Sequence, residues 1–243
     1  MRARLRLAAV LGLACLAGPA AAGCRTALAI GLDVSGSVDK TEMALQTEGM
    51  ARALTAPEVV RAFLPPGGTV KLAIYNWSGV NTARLILPWT EITGLADLDT
   101  AAAAVRASLP SGGRTALGQA MQVGAGLLGE RRECRSLILD LTGDGFSNDG
   151  PLPDRVAAQM FRGLTINALA IADRKGTGED PSLARLVAYF EAVVIRGPGA
   201  FVEPAEGFAS FEAAMVRKLL RELGAANLTW LGTPPLRLAS RGG

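Results

Sequence analysis

The apolar residues of this 243-residue chain fall into short runs separated by longer amphipathic stretches. Segments 27–33 (ALAIGLD), 70–77 (VKLAIYNW), 84–87, 136–141 (SLILDL), 165–171 (TINALAI) and 192–196 have strand length and composition. Helical patterns occupy 40–54, 95–108, 116–128, 154–162, 183–190 and 208–223. In the last of these, Phe208, Phe211, Met215 and Leu219 repeat along one helix face. Strands that alternate with helices predict an α/β fold, a doubly wound and mostly parallel sheet with helices on both faces. The strand around Ile86 follows the one around Tyr75 after a short Ser-Gly-Val-Asn turn and is expected at an antiparallel edge. No internal repeat is visible. The pattern defines a leader at 1–22, a single domain at 23–224 and a tail at 225–243.

The leader carries Arg2, Arg4 and Arg6, then the apolar run 7–16, then Ala20-Ala21-Ala22. A basic start, a short apolar segment and small residues predict a secretory signal cleaved after Ala22. The run is shorter than the ~20 residues that span a bilayer, so no transmembrane segment is expected in the mature chain. Ala21-Ala22-Gly23 before Cys24 also has the form of a lipobox, which makes a lipoprotein the alternative to a periplasmic or secreted protein.

Removing the leader changes the charge picture. The chain has 25 basic and 22 acidic residues, and taking away the three leader arginines leaves 22 of each. The high isoelectric point therefore belongs to the leader, and no nucleic-acid partner is expected. The chain contains no histidine. That excludes Ser-His-Asp and Cys-His nucleophiles and all His-ligated metal sites, leaving carboxylates, hydroxyls and backbone groups to do any chemistry.

Cys15 leaves with the signal, so the exported chain keeps Cys24 and Cys134. Cys24 lies nine residues before Asp33 and Cys134 ten before Asp144, each leading into an apolar run. If those runs are neighbouring parallel strands, the two sulfurs sit level at one edge and a Cys24–Cys134 disulfide is expected.

Ligands of open parallel sheets bind at the carboxyl ends of the strands. Three loops there carry oxygen donors. Asp33-Val34-Ser35-Gly36-Ser37 places a carboxylate and two hydroxyls on one turn. Gly112-Gly113-Arg114-Thr115 adds a hydroxyl, and Thr142-Gly143-Asp144-Gly145 a second carboxylate. Hard oxygen donors with room for water suit Mg2+, with Mn2+ or Ca2+ as alternatives.

These residues resemble the metal-ion-dependent adhesion site of the von Willebrand factor A domain, and the order of elements agrees over residues 27–223. Leu87-Pro88-Trp89-Thr90, Gly143-Asp144-Gly145 with Asn148, and Gly197-Pro198-Gly199-Ala200-Phe201 resemble an uncharacterised group of exported bacterial proteins of that family. The resemblance implies a Rossmann-like domain in which Asp33, Ser35, Ser37, Thr115 and Asp144 hold the metal, and an Asp or Glu of a protein partner completes its coordination. Many family members place the third-loop Asp directly after the strand's terminal Thr or Ser. Here Gly143 intervenes, so Asp144 through water, or Asp140 or Asp149 in its place, are the alternatives.

The same residues admit other roles. Ser35, Ser37 and Thr115 are also common N-cap residues, and Asx residues in Gly-rich loops commonly serve turns. Gly143 to Asp149 resembles the late acidic motif of haloacid dehalogenase-type hydrolases, which would make Asp33 an aspartyl nucleophile in a Mg2+-dependent phosphatase. Against that enzyme, Ser35 stands where a second Asp should be, and no Lys occurs from Leu72 to Gly143. A structural module that leaves the metal site unused is the third reading. The expected function is metal-dependent protein binding without catalysis.

Overall fold

The computed structural model describes residues 23–64, 67–109, 111–172 and 181–228. The expected leader at 1–22 and the chain beyond 228 lie outside the described residues.

Six strands form one sheet in the order β3-β2-β1-β4-β5-β6. These are β1 (Cys24–Asp33), β2 (Thr69–Trp77), β3 (Arg84–Ile92), β4 (Ser136–Gly143), β5 (Thr165–Ala172) and β6 (Val202–Glu206). All neighbours are parallel except β2 and β3, so β3 is the expected antiparallel edge. The central strands are buried on both faces, which is why their sequences read as nearly continuous apolar runs.

Helices α1 (Lys40–Thr55), α2 (Pro57–Phe63), α3 (Leu95–Arg106) and α6 (Phe211–Leu228) supply one core cluster, with Leu28, Ile30 and Leu32 of β1. Helices α4 (Leu117–Gly129) and α5 (Leu183–Val193) supply the other, with Ala27 and Ala29. Alternate β1 residues thus serve opposite layers, as the two-residue period of a strand requires. Each fully buried Leu or Phe contributes about 1.5–3 kcal/mol by leaving water.

The structure corrects two expected elements. Segment 192–196 is not a strand. The helical bond from the Val194 N–H to the Phe190 carbonyl (2.9 Å) carries α5 into it, and only Arg196 reaches the sheet, through an isolated bridge to Ile166. Its β-branched residues pack under β5 instead, and the sixth strand is Val202–Glu206. Segment 154–162 is two short 3-10 turns, Pro153–Arg155 and Ala158–Phe161. Val156 is extended between them and interrupts any α-helical ladder. In addition, α6 continues to Leu228, past the Gly224 at which the apolar pattern ends.

Strands β1 and β4 pair with a constant offset of 110 residues, Thr26 opposite Ser136 and Gly31 opposite Leu141. The same offset sets Cys24 level with Cys134, and the two form a disulfide with Cα atoms 4.5 Å apart. The bond occupies the sulfur that a lipid anchor would need. At the opposite edge the same register carries Asp33 to the start of the β4 loop.

Candidate metal centre at the carboxyl edge

Strand β1 ends in Asp33, which is fully buried. Its backbone is held from two sides. The Asp33 N–H donates to Thr142 Oγ1 (3.1 Å) at the end of β4, and Gln46 Nε2 of α1 donates to the Asp33 carbonyl (2.8 Å). Gln46 is itself fully buried at a core position, a polar residue on an apolar helix face. That misfit between residue and position was the available sequence signal for its role.

The chain then turns so that the Ser35 N–H donates to Asp33 Oδ1 (2.8 Å). The Ser35 and Ser37 hydroxyls lie 3.1 Å apart, and Ser37 Oγ donates to Asp144 Oδ1 (2.8 Å). From the second loop, Thr115 Oγ1 donates to Ser35 Oγ (3.4 Å). All five expected donors therefore belong to one hydrogen-bonded cluster drawn from three loops.

Close loop packing makes this convergence feasible. The Gly36 N–H donates to the Gly113 carbonyl (2.8 Å), and a Cβ on Gly36 would lie 2.9 Å from that oxygen, so no larger residue fits. Thr115 is fixed by Asn148, whose Oδ1 accepts from the Thr115 N–H (2.8 Å) and whose own N–H donates to the Thr115 carbonyl (2.9 Å). The second and third loops are thus stitched together backbone to side chain.

The alternative roles separate cleanly. Helix α1 is capped by Asp39, which accepts from the Thr41 and Glu42 N–H groups while Glu42 answers the Asp39 N–H, so Ser35 and Ser37 are not its caps. Helix α4 begins after Ala116 without a side-chain cap, so Thr115 is not used that way either. Asp149 accepts from the Val80 N–H (2.9 Å) and serves the neighbouring loop. Asp140 lies in the core, 2.5 Å from Lys218 Nζ. Neither carboxyl group joins the hydrogen-bonded cluster of Ser35, Ser37 and Asp144. Gly143, the departure from the family pattern, leaves space beside Asp33. A Cβ there would stand 3.5 Å from Asp33 Oδ2 and 3.0 Å from the Phe190 ring.

Electrostatics mark Asp33 as unfinished. Its Oδ2 is buried and has no hydrogen-bond partner. Burial, and next the Asp144 carboxylate, push its carboxyl well above the usual range, with hydrogen bonds from Ser35 and from the Asp144 backbone opposing them. An orphaned carboxylate oxygen beside a second carboxylate and three hydroxyls is a donor set that fits a hard divalent cation. Among the described residues no three His, Cys, Asp or Glu side chains gather to hold a metal, so the hydroxyls are needed to complete such a site.

Solved structures share this architecture. Proximal thread matrix protein 1 from the mussel byssus, with a zinc-occupied MIDAS motif, matches at 16% identity and a TM-score of 0.58 over 84% of this chain and 49% of its own. The pilus adhesin SpaC of Lactobacillus rhamnosus GG, in its open conformation, matches at 13% identity and 0.61 over 82% of this chain and 30% of its own. A von Willebrand factor type A protein from Catenulispora acidiphila matches at 19% and 0.54 over 83% of this chain and 43% of its own. The chain spans about half the length of the mussel protein and less of the other two. No curated protein matches it. The fold is that of a von Willebrand factor A domain, and because residues 23–227 match the family described as "Protein of unknown function (DUF1194)", the chain belongs to that family.

Proposed function

We propose that this protein is an exported binding domain that holds Mg2+ through Asp33, Ser35, Ser37, Thr115 and Asp144 and uses it to capture an Asp or Glu side chain of a protein partner. The observation that carries the reading is the buried Asp33 Oδ2 with no partner, set among hydroxyls and a second carboxylate. A burial of this kind costs about 1–3 kcal/mol unless something satisfies the oxygen. The zinc-occupied MIDAS motif of the mussel protein supports a divalent ion at the corresponding place.

A divalent cation held there supplies an electrophile to which an outside carboxylate can bind. The chain's own residues prepare that step. Asp33 is kept in place by Gln46 and Thr142, Ser35 by the Asp33 carboxylate, and Thr115 by Asn148. Three of the five donors are neutral hydroxyls, so much of the ion's charge is left for the partner. Ser37 is exposed and Asp144 half-buried, which opens the cluster to solvent on the partner's side. The Cys24–Cys134 disulfide supports export, since such bonds persist in oxidising compartments. Among the described residues no helix is long and apolar enough to cross a membrane. The absence of histidine, with Ser35 where a phosphatase would carry its second Asp, supports binding without catalysis.

Asp33→Ala is expected to abolish Mg2+-induced thermal stabilisation while the folded circular-dichroism spectrum persists. An unchanged Mg2+ response in this variant overturns the metal assignment. A pull-down from envelope extract, with and without chelator, tests the partner. Hydrolysis of a generic phosphate ester that disappears in Asp33→Asn would favour the phosphatase instead.

A further inference from the structure

At the opposite, amino-terminal edge of the sheet, a cavity of about 360 Å3 opens between β4, β5, the 197–201 loop and α6. Its volume lies in the range of small-molecule sites. Leu137 and Phe201 give it apolar walls, Arg135 and Arg221 line it with positive charge, and Asn167 and Glu222 line it with buried polar groups.

The buried end sets two acidic side chains against one ammonium. Lys218 is fully buried, and its Nζ lies 2.5 Å from both Asp140 Oδ1 and Glu222 Oε1, so one ammonium serves two carboxylates. Glu222 is 2% exposed, and its Oε2 has no hydrogen-bond partner. Asn167 does not supply one: its Nδ2 donates to the other oxygen, Glu222 Oε1 (2.8 Å), and its Oδ1 accepts from the Phe201 N–H (3.1 Å). Burial of an acid in this state calls for a donor from the cavity side.

The solvent end has the reverse imbalance. The Arg221 guanidinium lies 3.7 Å from the centroid of the Phe201 ring. Among the described residues it makes no ion pair. Stacking of this kind fixes the plane of the guanidinium and leaves its N–H edge available to a carboxylate. Arg135 adds a second cation on the same cavity, with its Nη2 already donating to the Gly67 carbonyl and its remaining N–H groups left for a ligand. A plain amine would be repelled by these arginines, and a plain anion would leave Glu222 unsatisfied.

We propose that this cavity binds a small zwitterion of the amino-acid or dipeptide class, its ammonium toward Glu222, its carboxylate toward Arg135 and Arg221, and an apolar side chain along Leu137 and Phe201. The site is separate from the metal loops and does not depend on them.

Thermal shift and calorimetric titration of the full chain with each neutral amino acid, and with the matching dipeptides, test it and distinguish the two sources. Leucine or leucyl-leucine is expected to stabilise the chain saturably, by an amount that grows with the logarithm of its concentration. Leucinamide, which lacks the carboxylate, and 4-methylpentanoate, which lacks the ammonium, are expected to bind at least about tenfold more weakly. Arg221→Gln, at an exposed position, is expected to weaken leucine by a similar factor with the fold unchanged. Absence of a saturable response to any amino acid or dipeptide overturns the proposal. So does 4-methylpentanoate binding as tightly as leucine, a result that needs no variant to fold.

Discussion

Two strand-borne aspartates, Asp33 on β1 and Asp140 on β4, are both fully buried, and the chain treats them differently. Asp140 has been given a lysine. Lys218 reaches it from α6, shared with Glu222 and backed by Asn167. Asp33 is given only neutral donors, through Ser35 and the Asp144 backbone. Both aspartates face a second carboxyl group, Asp144 or Glu222, and both keep an oxygen with no hydrogen-bond partner, so the built-in cation is the difference. Burying a carboxylate is costly in either place. Where the cation is built in, the pair ties α6 to the sheet. Where it is left out, the fold carries a deficit that an outside ion can relieve. Under the proposed function, the contrast separates a carboxyl group tied to a built-in cation from one left for an outside ion.

The comparison breaks most easily at Lys218. Lys218→Met would leave Asp140 and Glu222 facing each other without their cation, and is expected to cost about 3–5 kcal/mol in urea unfolding at pH 8. A neutral result would mean that the lysine is not what balances Asp140.

A smaller effect separates the pair by pH. Burial first, then Glu222, raise the Asp140 carboxyl to about 7, with Lys218 opposing. Its folded-state value lies above its unfolded one, so the native chain holds a proton that the unfolded chain has released. Stability is therefore favoured below pH 4 and lost as pH rises toward 7. Relative to Asp140→Asn, the wild type is expected to lose up to about 4 kcal/mol between pH 4 and pH 8, read from urea midpoints at each pH. Parallel slopes for the two chains would place the titration elsewhere.

The smallest effect sharpens the other side. In chelator, Asp33→Asn removes a buried charge that has only neutral donors, and is expected to raise unfolding stability by about 1–2 kcal/mol. Adding Mg2+ should then stabilise the wild type and not the variant. Loss of stability in the metal-free variant would show that the Asp33 charge is balanced from within, like that of Asp140.

The parallel sheet and the three site loops were legible because each leaves a local signature. Apolar runs such as SLILDL announce buried strands, and Asp-x-Ser-x-Ser after such a run announces a donor turn. Strand β6 left no signature. VEPAE contains Pro204 and two glutamates, and it becomes a strand only by pairing with β5 at the sheet edge. The 192–196 segment misled in the other direction, since β-branched residues packing under a sheet carry the same composition as residues within one. The polar network of Asp140, Asn167, Lys218 and Glu222 was equally hidden. Lys218 and Glu222 sit one turn apart on α6, where a lysine–glutamate pair ordinarily marks a solvated face. Only the tertiary placement of α6 buries them. Gln46 was the exception, a buried polar residue whose misfit with its helix face could be read beforehand.

The Cys24–Cys134 bond spans 110 residues that include the Ser78–Thr82 turn, helices α1 to α4 and Thr115. A single proteolytic cut anywhere in that stretch would leave two fragments that remain one covalent molecule, with the aspartate-bearing first and third loops still joined. Such a nicked protein would run at full mass on a non-reducing gel and separate only on reduction. The crosslink thus keeps a chain cut once within that stretch in one piece.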